Sequence, residues 1–285
     1  MPIKNLPPLR DIIKEFNLSA NKSLGQNFLL DSNVTAKIAS LADPLENNYV
    51  IEIGPGPGGL TRALLDRGAK IIAIETDERF RPVLTNLSKA YNNNLEVIYG
   101  DALKQNYSEI AAKCTTKPKI IANLPYNIAT QLLLNWLVQP SWPPFYESLI
   151  LMFQKEVAER ITAQAGQKAY GRLSILANWR CYIKIIYNLP AAAFTPRPKV
   201  DSAIVQLIPK TKILNCNVES LEKITFATFS QRRKMLRQSL KNLGGIKLIE
   251  SAKINPERRP ETLTLEEFVA LAKNWQKATN PRSLP

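Results

Sequence analysis

The sequence predicts an α/β fold with a mostly parallel, seven-stranded sheet and a small helical domain at its C-terminal end. Seven short segments rich in Ile, Val and Leu have the pattern of buried strands. The first of them runs straight into a glycine-rich stretch and a helix, which is how nucleotide-binding α/β units begin. After Pro209 the pattern is helical and more basic. We therefore expect residues 1–209 to form the sheet domain and residues 210–285 to form a basic helical domain.

Charge points to a polyanionic partner. The 285-residue chain has a net charge of +14. Residues 210–285 hold 15 basic and 7 acidic side chains, a net charge of +8, whereas residues 1–209 hold 23 and 17, a net charge of +6. Nucleic acid is the first candidate for the partner. The alternative is a basic protein with no such partner.

Composition also excludes several kinds of site. The sequence has no histidine, which rules out a histidine general base, a Ser-His-Asp triad and a histidine-ligated metal. Cys114, Cys181 and Cys216 lack the spacing of metal ligands or of a disulfide framework, which favours a reducing cytoplasm. There is neither an apolar run of about 18 residues nor a signal-peptide core, so we expect no membrane span.

The predicted elements follow from local periodicity and end signals. The predicted strands are Tyr49–Ile53, Lys70–Ile74, Leu95–Ala102, Lys119–Ala122, Leu149–Phe153, Tyr182–Leu189 and Ala203–Ile208. The predicted helices are Leu9–Phe16, a helix capped by Asp31 or Ser32 that ends near Leu41, Leu60–Arg67, Gln154–Ala165, a helix opening at Tyr170, one carrying Ser230–Arg237 that Gly244-Gly245 ends, and Leu265–Trp275 capped by Thr264. Asn255–Pro260 reads as a turn, and Asn280–Pro285 as a frayed tail.

The glycine-rich stretch Gly54–Gly59 follows the first predicted strand. Glycine lets the backbone approach a ligand closely, and the N-terminus of the next helix adds partial positive charge. Gly54, Gly56 and Gly59 also have the spacing of a dinucleotide-binding motif. That match is weak by itself, and it leaves an NAD-dependent dehydrogenase as an alternative.

Polar side chains end the next three strands. Glu75 lies 21 residues beyond Gly54, where an acidic residue takes the ribose hydroxyls of an adenosine cofactor. Asp101 at the end of the third strand can accept a hydrogen bond from an adenine amino group. Asn123 follows the fourth strand. Because carboxyl ends of parallel strands meet at one edge of a sheet, we expect these three side chains to converge on one ligand.

The stretch Asn123-Leu124-Pro125-Tyr126 suits recognition of a planar base with an exocyclic amino group. Asn123 offers an amide oxygen as acceptor, Pro125 makes the turn rigid, and Tyr126 offers a face for stacking. An ordinary strand-to-helix turn is the alternative. Later in the chain, Phe194 opens a proline-rich loop. It would face Tyr126 across the base.

Two sets of cations are candidates for contact with nucleic-acid phosphates. Arg197 and Lys199 lie in the proline-rich loop, which could otherwise be a rigid connector. The second set lies on the predicted C-terminal helix, where one face can pack and the other can hold a phosphate backbone. Its members are Arg232, Arg233, Lys234 and Arg237.

Taken together, these motifs resemble the small-subunit ribosomal RNA adenine N6,N6-dimethyltransferases. The resemblance covers almost the whole chain. Its marks are Lys22–Leu29, Glu52–Thr61, Glu75, Gly100–Ala102, Asn123–Tyr126, Phe194–Ala203, Arg232–Lys234 and Arg258–Glu261. From the residues alone, Lys22–Asp31 reads as a structural capped loop; the resemblance instead implies a cofactor role for Asn27 and Leu29.

The resemblance implies a Rossmann-like S-adenosylmethionine-dependent methyltransferase domain that dimethylates two adjacent adenines near the 3′ end of small-subunit rRNA. The implied cofactor-binding residues are Asn27, Leu29, Gly54, Gly56, Glu75, Asp101, Ala102 and Asn123. The implied catalytic residues are Asn123, Leu124, Pro125, Tyr126 and Phe194. We expect a cytoplasmic monomer that uses no metal and acts on small-subunit rRNA in a pre-30S particle.

Two further alternatives share this fold. A large-subunit rRNA adenine methyltransferase of the antibiotic-resistance type has the same catalytic motifs, although the proline-rich loop and the C-terminal marks favour the small-subunit branch. A ribosome-assembly or transcription factor could keep the fold without turnover. The intact Gly54–Gly59 stretch and Asn123 argue against that loss of activity.

Overall fold

The computed structural model describes residues 6–279, so the predicted tail Asn280–Pro285 lies outside the described residues. The strands are β1 Phe28–Leu29, β2 Tyr49–Ile53, β3 Lys70–Glu75, β4 Leu95–Tyr99, β5 Lys119–Asn123, β6 Ser148–Gln154, β7 Cys181–Leu189, β8 Phe194–Thr195 and β9 Ser202–Pro209. The helices are α1 Leu9–Glu15, α2 Ser32–Ser40, α3 Gly59–Asp66, α4 Arg81–Ala90, α5 Tyr107–Ala112, α6 Ala129–Leu137, α7 Lys155–Thr162, α8 Arg172–Arg180, α9 Val218–Ser230, α10 Leu236–Ser239, α11 Gly245–Ser251 and α12 Leu265–Thr279.

A seven-stranded sheet has the order β4-β3-β2-β5-β6-β9-β7. The five strands from β4 to β6 are parallel, and β9 runs antiparallel to β6. The prediction of seven strands in a mostly parallel sheet is confirmed. Strands β2, β3, β5 and β6 are almost continuously apolar because both of their faces are buried.

The third predicted strand, Leu95–Ala102, is shorter in the structure, where it is β4. It ends at Tyr99 rather than Ala102, because Gly100 takes a φ of +156° and leaves the strand conformation. The Asp101 carboxylate then accepts a hydrogen bond from the Leu103 N–H and caps a 3₁₀ turn, Ala102–Lys104. Asp101 therefore lies one turn beyond the strand and still near its carboxyl end.

The described residues fall into two compact units. The first comprises the residues up to Leu133, Pro144–Ala158 and Lys184–Ile208. The second comprises Leu134–Pro143, Glu159–Ile183 and the residues from Pro209 onward. The predicted boundary after residue 209 is close to the last break, but the sequence assigned the two internal segments to the first domain, and they pack in the second unit.

The second unit corrects the predicted basic helix. Helix α9 ends at Ser230, and Arg232, Arg233 and Lys234 lie in a turn before α10. The backbone explains the break, since the Leu236 N–H donates to the Arg258 carbonyl at 2.8 Å and the Arg237 N–H to the Pro256 carbonyl at 3.0 Å. These two N–H groups therefore donate to carbonyls of the turn at residues 256–258 and not to the preceding turn of a continuous helix.

Two other end signals in the sequence are confirmed. Asp31 caps α2 by accepting from the Asn33 N–H. Thr264 and Glu267 form a reciprocal cap at the start of α12. The predicted helix end at Gly244-Gly245 is wrong, because α10 already ends at Ser239. Gly244, with a φ of +114°, lies between the 3₁₀ turn Lys241–Leu243 and α11, which begins at Gly245.

A second, two-stranded sheet was not predicted. Strands β1 and β8 pair antiparallel, with Phe28 opposite Thr195 and Leu29 opposite Phe194. The pairing joins the N-terminal loop to the proline-rich loop within the first unit. Among the residues from 6 to 279, no helix is both long and apolar enough to cross a membrane.

Candidate active site

A cavity of about 400 Å³ lies in the first unit at the carboxyl ends of β2, β3 and β5. This volume is in the range that holds a small-molecule cofactor. Its walls come from the N-terminal loop, the glycine-rich stretch, the ends of β3 and β4, and Asn123–Ile128 after β5. The structure thus brings together every predicted cofactor-binding residue, namely Asn27, Leu29, Gly54, Gly56, Glu75, Asp101, Ala102 and Asn123.

Glu75 is fixed at the end of β3 by two backbone donors. The Gly56 N–H donates to Oε2 at 2.9 Å, and the Asp77 N–H donates to Oε1 at 2.8 Å. Burial raises the pKa of this carboxyl, while these hydrogen bonds lower it in part. Each carboxylate oxygen keeps a further lone pair, so Glu75 is oriented to accept from a diol such as a ribose.

The positions of the glycine-rich stretch beside Glu75 require glycine for different physical reasons. Gly54 and Gly56 have φ values of +66° and +54°, which favour glycine, and both line the cavity. Gly59 has an ordinary φ, but a Cβ there would lie 2.7 Å from the Leu29 carbonyl oxygen and 3.0 Å from Leu9 Cδ2. Gly59 is therefore required where α3 packs against β1.

The N-terminal loop is held over the cavity by hydrogen bonds. Gln26 Nε2 donates to Asp77 Oδ2 at 3.0 Å, and the Arg79 guanidinium donates to the same carboxylate. The Arg79 contact lowers the pKa of Asp77, so this anion holds the loop over a wide pH range. Asp77 in turn donates its N–H to Glu75. The loop and the predicted ribose ligand therefore belong to one network.

The carboxamide of Asn123 has a defined orientation. Its Nδ2 donates to the Asn27 carbonyl at 3.0 Å, and its Oδ1, in the cavity wall, has no hydrogen-bond partner among residues 6–279. Leu124 is buried, and Pro125 packs beside Gly54. The Ile128 and Ala129 N–H groups donate to the Pro125 carbonyl and start α6.

Tyr126 lines the same cavity. Its hydroxyl shares a 2.7 Å hydrogen bond with Ser202 Oγ, which holds the ring in place. Burial raises the pKa of this phenol, with the Ser202 contact lowering it in part, so the group is neutral at physiological pH. A neutral, fixed ring is what stacking on a base requires.

Phe194 lies elsewhere in the first unit. Its side chain is 3% exposed and belongs to the hydrophobic core with Phe28 and Leu29, and it is not among the residues that line the cavity. The sandwich of a base between Phe194 and Tyr126 stays a prediction, and it requires the Phe194 ring to turn out of the core. Arg197 and Lys199 are exposed on the loop that follows β8.

The cavity is acidic. Glu52, Glu75 and Asp101 line it, and none of the described lining residues is Lys or Arg. Glu52 is 1% exposed, and its Oε2 has no hydrogen-bond partner among the described residues. Residues 6–279 contain no group of three Cys, Asp or Glu side chains that could hold a metal ion. The arrangement suits a cationic organic ligand better than a pyrophosphate.

Sequence reasoning gave no site role to Glu52 or Asp77. Glu52 could have been found, because a carboxyl one residue from the end of a buried strand and two residues before Gly54 is a local anomaly. The contact between Gln26 and Asp77 spans 51 residues and has no local signal.

Comparisons with known proteins bear on the family of this chain. A family model described as "Ribosomal RNA adenine dimethylase" matches residues 17–277. A protein of Bartonella tribocorum named "Ribosomal RNA small subunit methyltransferase A" is 57% identical over 272 residues, which are 95% of this chain and 99% of that protein. The protein of the same name from Agrobacterium fabrum is 56% identical over 271 residues, with 95% and 98% covered.

Two solved structures are similar over most of their length. A dimethyladenosine transferase from Plasmodium falciparum has a TM-score of 0.73 and 28% identity, covering 87% of this chain and 97% of that one. The 23S rRNA methyltransferase ErmE has a TM-score of 0.64 and 24% identity, covering 88% and 100%. At that identity the second likeness concerns the fold alone, which is Rossmann-like in both.

Proposed function

Because the chain belongs to the ribosomal RNA adenine dimethylase family, we propose that it dimethylates the N6 amino groups of two adjacent adenines near the 3′ end of small-subunit rRNA, using S-adenosylmethionine. The observation that carries the proposal is the Asn123 carboxamide. Its nitrogen donates to the Asn27 carbonyl at 3.0 Å, and its oxygen, which no described residue contacts by a hydrogen bond, lies in the wall of a cofactor-sized cavity.

The residues of the cavity fit S-adenosylmethionine. Glu75 would take the ribose hydroxyls, and Asp101 would accept from the adenine amino group. The positive φ values of Gly54 and Gly56 let the backbone follow the ligand closely. The carboxylates of Glu75 and Asp101, the ionisable Glu52 and the lack of a cation among the described lining residues match a molecule with a net positive charge, whereas the pyrophosphate of NAD would be repelled. The dehydrogenase alternative is disfavoured for that reason.

Catalysis depends on positioning the target nitrogen. When bound, the cofactor supplies an electrophilic methyl group on a sulfonium. The adenine must leave its stack, and Tyr126 would hold it by stacking worth about 1–3 kcal/mol. Asn123 Oδ1 and the backbone carbonyl of Leu124 would accept from the amino hydrogens, because the Pro125 carbonyl already accepts from the Ile128 and Ala129 N–H groups. These contacts draw the nitrogen towards tetrahedral geometry and aim its lone pair at the methyl carbon.

No general base is needed before attack. The N–H proton becomes acidic only as the new N–C bond forms, and it can then pass to water. The absence of histidine from the sequence is consistent with this route. The second transfer requires space for one N-methyl group beside Asn123.

The relatives favour the small-subunit branch. Those named as small-subunit enzymes are 57% and 56% identical to this chain, whereas the large-subunit enzyme ErmE is 24% identical. We therefore propose small-subunit rRNA, in a pre-30S particle, as the substrate. We also propose that the enzyme acts as a monomer in the cytoplasm.

The second unit offers a basic surface for the rRNA backbone. A shallow groove of about 600 Å³ is lined by Arg237, Gln238, Lys241, Gly244, Gly245, Ile246 and Lys247. This groove, called the basic groove below, contains three cations, Arg237, Lys241 and Lys247. All three are exposed and form no ion pair with any residue from 6 to 279. Arg232 differs, since its guanidinium donates to the Lys168 carbonyl and lies 3.7 Å from Glu261.

We therefore propose that Arg237 acts with Lys241 and Lys247 on rRNA phosphates, and that Arg232 mainly supports the turn. Arg233 and Lys234 are exposed on that turn and remain candidates for phosphate contact, as do Arg197 and Lys199 in the first unit.

The test is transfer of labelled methyl from S-adenosylmethionine to under-methylated small subunits, beside large subunits and naked RNA. Dimethyladenosine in small-subunit RNA alone supports the proposal. Label only in large-subunit RNA would assign the chain to the resistance branch, and cofactor binding without any transfer would favour an assembly factor. In parallel, Asn123→Ala should nearly abolish turnover while S-adenosylmethionine still binds; full activity in that variant would refute the role of Asn123.

A further inference from the structure

The carboxyl group of Glu52 is the buried ionisable group of the cavity that the proposed reaction does not use. It lies on β2, is 1% exposed and lines the cavity. Its Oε2 is buried without a hydrogen-bond partner among the described residues. A charged carboxylate in that position is strongly disfavoured unless a cation compensates it.

The described neighbours of Glu52 supply no such cation. On β3, Ala73 is its partner in the ladder and the Glu75 carboxylate lies beyond; on β5, its partner is Ile121. From α3, the hydroxyl of Thr61 faces it. Asp101 is the remaining charged residue of the described cavity lining. Burial raises the pKa of Glu52 to about 8, the Thr61 hydroxyl lowers it in part, and the Glu75 charge raises it further. Glu52 is therefore neutral in the empty protein at pH 7.

We propose that Glu52 selects the charged cofactor over its spent product, because Glu52 loses a proton when S-adenosylmethionine binds and regains one when the neutral-sulfur product remains. This inference rests on the proposed function. S-adenosylmethionine carries ammonium, sulfonium and carboxylate groups and has a net charge of about +1 at pH 7, and transfer of the methyl group removes the sulfonium charge. Without the sulfonium, Glu52 must either keep an uncompensated charge or take up a proton again, so the product loses this attraction and is bound less tightly.

The reaction balances without Glu52 as a base. The S–CH₃ bond breaks with its electron pair left on sulfur, the N6 lone pair forms the N–CH₃ bond, and one N6 proton passes to water. Glu52 exchanges its proton with solvent at two other moments, cofactor binding and loss of the sulfonium charge. It is thus a residue that determines specificity for the cofactor through charge.

Isothermal titration calorimetry of the full-length protein tests the proposal directly. S-adenosylmethionine and its demethylated product, S-adenosylhomocysteine, are each titrated at pH 7 in phosphate and in Tris. The different ionisation enthalpies of the two buffers reveal the number of protons released. We expect release of most of one proton per S-adenosylmethionine bound and clearly less for S-adenosylhomocysteine. The affinity for S-adenosylmethionine should rise about tenfold between pH 6 and pH 7.

Two variants assign the proton to a residue. Glu52→Gln keeps the shape of the side chain and should abolish the proton release, flatten the pH dependence to less than about twofold and reduce the preference for S-adenosylmethionine over S-adenosylhomocysteine. Glu75→Gln is the matched control. It loses one of its two acceptors for backbone N–H groups, so it should weaken both ligands while the proton release persists.

The outcomes separate this inference from the proposed function. If the wild-type protein binds neither ligand, the proposed function fails. If both ligands bind and S-adenosylmethionine releases no proton, the Glu52 inference is overturned and the proposed function stands. Release that persists unchanged in Glu52→Gln would also overturn it, because another group must then supply the proton. The wild-type titration decides the first two points even if Glu52→Gln folds poorly.

Discussion

Replacement of Gly59 by alanine sets two opposed effects against each other. Gly59 is the first residue of α3, and alanine is better than glycine in a helix by up to about 1 kcal/mol. Its φ is ordinary, so alanine causes no backbone strain. On propensity alone, Gly59→Ala should stabilise the protein.

Packing reverses that expectation. The added Cβ would lie 2.7 Å from the Leu29 carbonyl oxygen and 3.0 Å from Leu9 Cδ2. The oxygen belongs to the backbone of β1, so it cannot move away by a change of rotamer. Overpacking of this kind costs about 1–3 kcal/mol. The cost exceeds the gain, and we expect a net loss of about 1–2 kcal/mol, or a fall in Tm of roughly 3–6 °C.

Thermal unfolding and cofactor titration would check this prediction. Leu29 lines the cavity, so displacement of β1 should also weaken S-adenosylmethionine binding. Gly171→Ala is the control, since its Cβ would lie 3.9 Å from the Phe229 ring and should leave cofactor affinity unchanged. If Gly59→Ala is as stable as the wild-type protein and binds cofactor equally well, the packing argument is refuted.

Three further predictions concern pH, catalysis and salt. Because the pKa of Glu52 rises from 4.5 to about 8 on folding, the folded state holds an extra proton, and stability falls as pH rises through that window. In urea unfolding without ligand, the free energy of unfolding of the wild-type protein should fall by about 2–3 kcal/mol more than that of Glu52→Gln between pH 6 and pH 9. Equal decreases in the two proteins would contradict this prediction. Asn123→Asp keeps the acceptor but puts an oxygen against the Asn27 carbonyl, and turnover should fall about tenfold to a hundredfold; wild-type turnover would show that the amide donor is unimportant. Alanine at all three cations of the basic groove should reduce the salt slope of rRNA binding by about 2, whereas alanine at three exposed lysines of the same unit, Lys212, Lys273 and Lys277, should not; equal reductions would indicate non-specific charge alone.

The sheet could be predicted because its signal is local. Each strand is a run of apolar, often β-branched residues, and both faces of the parallel strands are buried, so the run needs no partner to be recognised. The errors lie at the ends. The sequence pattern predicts three more strand residues after Tyr99. The strand ends there because Gly100 takes a positive φ, which depends on the turn that Asp101 caps and has no signal in the strand pattern.

Elements that depend on distant partners could not be predicted. Strands β1 and β8 contain two residues each, which is too short for any periodicity, and their pairing joins positions about 165 residues apart in the sequence. The helical spacing of the cations and the following leucines predicts a helix through Arg232–Lys234, where the structure has a turn. The carbonyls of Pro256 and Arg258 that end the helix lie beyond any local window.

The cofactor class illustrates how sequence letters and physical environment can differ. Gly54, Gly56 and Gly59 match a dinucleotide-binding pattern, yet in the structure only the first two have positive φ values, and Gly59 serves the packing of α3 on β1. The net charge of +14 likewise conceals a cavity lined by three carboxylates and, among the described residues, no cation. A pyrophosphate there would meet the Glu75 and Asp101 carboxylates beside a neutral Glu52, with no positive side chain among the described lining residues to oppose them. A sulfonium would meet the two carboxylates as counter-charges and would favour ionisation of Glu52. The glycine pattern therefore identifies the fold, and the acidic lining identifies the charge of the ligand.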